Sequence, residues 1–131
     1  MSDLKKEIIK ALFDFSDSIR YVAIYRNGEL ALQQRNAALD GQSSGESDQY
    51  EELLVNPTLL KLSSQRGNID CGGLDYLIVA YGNFHQLVRS IDGGHISICL
   101  EKGADLNRLP NAIFNFLEDQ FPDSFQKSPK L

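Results

Sequence analysis

Leu4, Ile8, Ala11, Leu12 and Phe15 recur at three- and four-residue intervals, which predicts a helix over Leu4 to Phe15 with one buried face. Ser2 or Asp3 can cap it by accepting a bond from free first-turn amides, and the turn-forming run Ser16-Asp17-Ser18 ends it. From Ile19 the period falls to two. Tyr21, Ala23 and Tyr25 alternate with Val22 and Ile24, and Leu30 and Leu32 alternate with Ala31 and Gln33. Asn27-Gly28 supplies the positive φ values of a type I′ turn, so Ile19 to Tyr25 and Glu29 to Arg35 are predicted as a hairpin. One face of it is apolar and the other mixed, which suits a sheet partly covered on both sides.

The periodicity then stops. Positions 36–48 are mostly glycine, serine and acidic or amide residues with almost nothing to bury, which predicts a mobile surface loop. Loops of that length are often functional, yet long surface insertions cost little, and both readings stay open. Asp48-Gln49-Tyr50-Glu51 fits a capping box, with a short helical piece from Gln49 to Val55. Asn56-Pro57 restarts the pattern as cap and first turn of a second piece. Its apolar stripe is Leu59, Leu60 and Leu62, and Gly67 after Arg66 is its expected stop. A helix broken or kinked near Pro57 follows.

The second half reads as a three-strand meander and a helix. Leu74 to Tyr81, Phe84 to Ile91 and His95 to Glu101 are rich in β-formers and are separated by Gly82-Asn83 and Asp92-Gly93-Gly94. Ile113, Phe114, Leu117 and Phe121 make the stripe of a final helix that begins near Pro110 and is closed by Pro122. The order α-β-β-α-β-β-β-α, with five antiparallel strands grouped two and three, predicts a single-domain α+β sandwich over 1–125 and a frayed tail over 126–131.

Charge narrows the partners. The net charge of -5 argues against a nucleic-acid groove, which needs a basic stripe. Lys5, Lys6 and Lys10 cluster in the first helix but are diluted by Asp3, Glu7 and Asp14. The apolar runs are too short to span a bilayer, and Met1 to Lys6 lacks an apolar signal core, so no membrane insertion and a cytoplasmic location are expected. Cys71 and Cys99 are then expected as free thiols rather than a disulfide.

Candidate chemistry is sparse. His85 and His95 lie apart along one hairpin, and Cys99 is about 13 Å from His95 along its strand, too far to share a metal. The glycine pairs Gly72-Gly73 and Gly93-Gly94 precede no helix, so they match turns rather than phosphate loops. Glu51-Glu52 and Glu118-Asp119 read as a solvated acidic surface, because adjacent helical positions diverge. No nucleophile is paired with a base, so neither an enzyme, nor a cofactor, nor a catalytic residue, nor a metal site is expected. Arg66, at the end of the middle helix, is either a dipole-stabilised terminal cation or an interface arginine.

The element order, the Asn27-Gly28 hairpin, the run Gly72-Gly73-Leu74-Asp75-Tyr76-Leu77-Ile78-Val79 and the terminal amphipathic helix together resemble the roadblock family of dynein light chains and bacterial GTPase-partner proteins. The resemblance covers roughly Leu4 to Phe121, on a scaffold shared with profilin-like and longin-like domains. The broken middle helix departs from the family's single continuous one. The resemblance implies a homodimer. In the family the third strand pairs with its symmetry mate at the sheet edge and the middle helices pack together. Here those segments are Asp70 to Tyr81 and Pro57 to Arg66, and the interface residues would be Leu59, Leu62, Arg66, Tyr76, Ile78 and Val79. It further implies an adaptor that binds or regulates a small Ras-like GTPase or another cytoplasmic protein. The alternative of a different class is a profilin- or PAS-like sensor, with a ligand on the sheet face among Tyr21, Tyr25, Gly82 and Phe84.

Overall fold

The structure, a computed structural model, describes residues 2–35 and 45–125. The expected mobile loop lies outside the described residues as far as position 44, and the expected tail at 126–131 lies outside them entirely. The elements are α1 (Ser2–Phe15), β1 (Ile19–Arg26), β2 (Glu29–Gln34), α2 (Gly45–Tyr50), a π-helical turn (Glu51–Val55), α3 (Asn56–Asp70), β3 (Leu77–Ala80), β4 (Phe84–Ile91), β5 (Gly94–Glu101) and α4 (Leu109–Gln120). The five strands form one antiparallel open sheet in the order β2-β1-β5-β4-β3, so β2 and β3 are its edges. The molecule is α+β.

Strand alternation divides the side chains between the two faces. Val22 and Ile24 of β1, Leu87 of β4 and Ile96, Ile98 and Leu100 of β5 face α1 and α4. With Ile8, Ile9, Leu12, Ile113, Phe114, Leu117 and Phe125 they form the main core. The opposite face is covered by the middle helix and has a smaller apolar cluster of Tyr21, Ala23 and Cys99, flanked by Leu30, Leu32 and Phe84. The hairpin turn at Asn27 and Gly28 has φ of 52° and 85°, the backbone that the Asn-Gly pair predicts.

The middle helix differs from expectation in three respects. It begins at Gly45, ahead of the proposed cap, and Asp48 accepts a bond from Gln34 Nε2 at 3.3 Å instead of capping. The break near Pro57 takes the form of the π-helical turn. The chain stays helical through Asn56, whose side chain makes no cap bond but turns inward. Gly67 does not end the helix. It is buried inside α3, where a Cβ would meet the Gly73 backbone carbon at 3.2 Å, and its carbonyl accepts from the amides of Cys71 and Gly73. The stop is supplied by Gly72 and Gly73, with φ of 81° and 92°. Both cysteines are free thiols, Cys71 exposed and Cys99 buried.

Candidate functional site

The π-helical turn places two consecutive carboxylates against the sheet. A π turn widens the backbone and shifts the register of the side chains that follow. Glu51 and Glu52 therefore both reach inward, where successive α-helical positions would diverge. Glu52 is 0% exposed and has three polar partners. Tyr21 Oη donates to its Oε2 at 2.8 Å and Asn56 Nδ2 to its Oε1 at 3.0 Å. His95 Nε2 lies 2.7 Å from Oε1, within hydrogen-bond distance. Gln86 continues the network: its Nε2 donates to Asn56 Oδ1 at 3.1 Å and to Glu51 Oε2 at 2.8 Å, and its Oε1 accepts from Ser97 Oγ at 3.1 Å. Tyr81 Oη donates to Glu51 Oε2 at 2.9 Å.

Glu52 is thus a correction to the solvated acidic surface, and His95, 2% exposed, is a correction to an ordinary strand histidine. The local pattern does not reveal the pair, because Glu52 and His95 are 43 positions apart and Tyr21 is 31 from Glu52. One local signal did exist: Asn56 before Pro57 suggested a disturbed helix, and disturbed helices of this kind often carry inward polar groups. The network ties the middle helix to β1, β4 and β5. Its inner carboxylate and imidazole are buried, and Glu52 lies at the inner end of a cavity that the network borders.

Burial raises the Cys99 thiol and the Tyr21 hydroxyl well above their ordinary ranges, each with a contribution from the Glu52 charge. Tyr81 is pushed up to about 12, by burial first and then by Glu51. Burial also raises the Glu51 carboxyl above its ordinary 4.5, against the opposing hydrogen bond from Tyr81. Asp48 is raised from 3.8 for the same first reason. The stability linked to a raised carboxyl is fully present below its unfolded value and is lost as pH rises through the folded one. Glu51→Gln keeps an acceptor for Tyr81 and removes the charge. Thermal melts across pH 4 to 7 should show a flatter profile than the parent, with a higher melting temperature at neutral pH only. An unchanged slope would show that Glu51 is not desolvated.

Two surfaces flank this network. The first is the β3 edge with the outer side of the middle helix. Leu62 is 61% exposed, Ile69 75% and Ile78 37%. Leu59 and Val79 are half-buried. Arg66 is exposed and its Nη1 donates to Asp70 Oδ1 at 2.6 Å, which places it in a helix-surface ion pair. Tyr76 precedes β3, and its ring packs on Phe114 at 5.6 Å between centroids, so it belongs partly to the core side. The six expected interface residues thus fall on one helix and one edge segment but point in several directions. The second surface is a cavity of about 440 Å³ at the mouth of the network, lined by Tyr21, Asp48, Glu51, Tyr81, Gly82 and Phe84 among others. Tyr25 is not in it. Among the described residues no group of His, Cys, Asp and Glu side chains converges as metal ligands would, and no helix is long and apolar enough to cross a membrane. Neither a protein-family model nor a curated protein sequence matches this chain.

Proposed function

We propose that this chain is a non-enzymatic dimeric adaptor or regulator of the roadblock type, whose second copy covers β3 and the outer side of α3 and whose partner is a small Ras-like GTPase. One observation carries the reading. Among the described residues the exposed large apolar side chains are Leu4 and Phe15 on α1, and Tyr50, Leu53, Leu54, Leu62, Ile69 and Ile78 on the middle helix and β3. Of these, Ile78 stands on the unpaired β3 edge, and Leu62 and Ile69 are the exposed apolar side chains of α3, the helix that precedes that strand. Such an edge is a template for strand pairing, and a two-fold axis is the arrangement that closes it.

The register identifies the backbone groups involved. The Tyr81 amide donates to the Phe84 carbonyl at 2.9 Å, so Tyr81 and Phe84 are a hydrogen-bonded pair. Alternation then turns the amide and carbonyl of Ile78 and Ala80 away from β4, toward the open edge. Light scattering at micromolar concentration should give twice the 14.7 kDa chain mass. Ile78→Pro removes an outward donor without touching the β3–β4 ladder and should return the mass to that of one chain. A monomeric parent, or a variant that stays dimeric, would overturn the edge pairing. Pull-down from native lysate with and without a GTP analogue tests the GTPase reading, which expects nucleotide-dependent capture.

A second reading, a profilin- or PAS-like sensor, is favoured by the cavity that Tyr21, Gly82 and Phe84 line. Native mass spectrometry of the freshly purified chain separates the two, because a sensor retains a small molecule that an adaptor does not.

A further inference from the structure

Among the described residues the other sheet edge, β2, is unpaired as well, and a groove of about 1080 Å³ runs along it between α1 and the π-helical turn. The Arg35 amide donates to the Arg20 carbonyl at 2.9 Å, so that pair is hydrogen-bonded. Alternation then leaves the amides and carbonyls of Leu30, Leu32 and Gln34 directed away from β1. Natural edges are commonly blunted by proline, lysine or a bulge. The β2 sequence Glu-Leu-Ala-Leu-Gln-Gln carries no proline or lysine, and its register with β1 is unbroken from Tyr21–Gln34 to Arg26–Glu29.

We propose that this groove receives an extended segment of a partner protein, added to the sheet as a sixth strand, in which apolar residues alternate with acidic ones. The inference rests on the adaptor reading, in which the second copy occupies β3 and leaves β2 for the partner. The two walls set the alternation. Leu30 and Leu32 share the sheet face covered by the middle helix, where Leu53 of the π turn stands 47% exposed beside them. Side chains of an added strand on that face meet an apolar wall. Those on the other face meet α1, whose Lys6 and Lys10 line the groove, Lys10 in an exposed pair with Asp14 at 3.2 Å. Asp14 lines the groove as well and offsets Lys10, so Lys6 gives this wall its one net positive charge, complementary to an acidic side chain. Main-chain bonds along the edge supply affinity, and the two walls supply the pattern.

The test uses a fluorescent synthetic peptide alternating valine and glutamate, with the lysine-for-glutamate peptide as comparison, in sedimentation runs on the full chain. Chain mass and peptide capture are read in the same cell, so failure of the dimer and failure of the groove are separate outcomes. The glutamate peptide should co-sediment and bind about tenfold more tightly than the lysine peptide, and the double variant K6E/K10E should reverse that order. Leu32→Pro removes an outward amide and should abolish capture while leaving the chain mass unchanged. If Leu32→Pro fails to fold, the charge-reversed variant alone decides. Equal binding of both peptides, capture by folded Leu32→Pro, no capture at millimolar peptide, or growth of the chain beyond a dimer through this edge would each overturn the proposal.

Discussion

Glu52→Ala is expected to lower folding stability by about 3–5 kcal/mol, the scale of leaving several buried polar groups without their shared partner. The substitution takes the shared partner from Tyr21 Oη and His95 Nε2 and leaves Asn56 Nδ2 with only its 3.3 Å bond to Gln86 Oε1. Each buried group stripped of its partner carries a desolvation penalty of about 1–3 kcal/mol. Tyr21→Phe removes one donor and leaves Glu52 two other polar partners, so it should cost only about 1 kcal/mol. Urea melts of the two variants read the difference directly. If Glu52→Ala unfolds within 1 kcal/mol of the parent, on the scale of a surface change, the carboxylate does not hold the middle helix.

Phe114→Ala should be comparably severe for a different reason. The ring is buried between α4 and the sheet, packs on Tyr76, and lies under the Arg89 guanidinium at 4.6 Å. Truncating a buried Phe costs about 3–5 kcal/mol, which for a domain of this size lowers the melting temperature by roughly 10–20 °C. Asn115 is exposed on the same helix, and Asn115→Ala should shift stability by no more than about 0.5 kcal/mol. Equal effects at the two positions would mean that the stripe of Ile113, Phe114 and Leu117 does not face the core.

Local patterns made much of the architecture legible in the sequence. The period of α1, the Asn27-Gly28 turn, the spacing of the last three strands and the stripe of α4 depend on residues a few positions apart. The boundaries of β4 match the expected Phe84 to Ile91. β3 is shorter than expected: Leu74, Asp75 and Tyr76 are rich in strand formers or adjoin them, yet Tyr76 turns to pack on Phe114 instead of pairing with β4. Gly67 looks like a helix stop by residue type. Its burial under Gly73 depends on how the loop folds back, which no window of sequence contains.

The polar site was hidden for the same reason, more strongly. Glu52, Asn56, Gln86 and His95 come from three segments and meet only when the helix lies on the sheet. Read one at a time, a glutamate beside a glutamate signals solvent, and a histidine in a strand signals little. Of the expected interface residues, Leu62 and Ile78 are exposed, Leu59 is half-buried, and Tyr76 packs against the main core.

The claim on which the functional account turns is that β3 completes its hydrogen bonding with a second copy. Amide exchange across a dilution series tests it at the groups concerned. At concentrations where the mass is that of two chains, the Ile78 and Ala80 amides should be protected, and that protection should disappear with dilution as the chains separate. Unprotected Ile78 and Ala80 amides in a chain of doubled mass would place the dimer contact elsewhere and contradict the account.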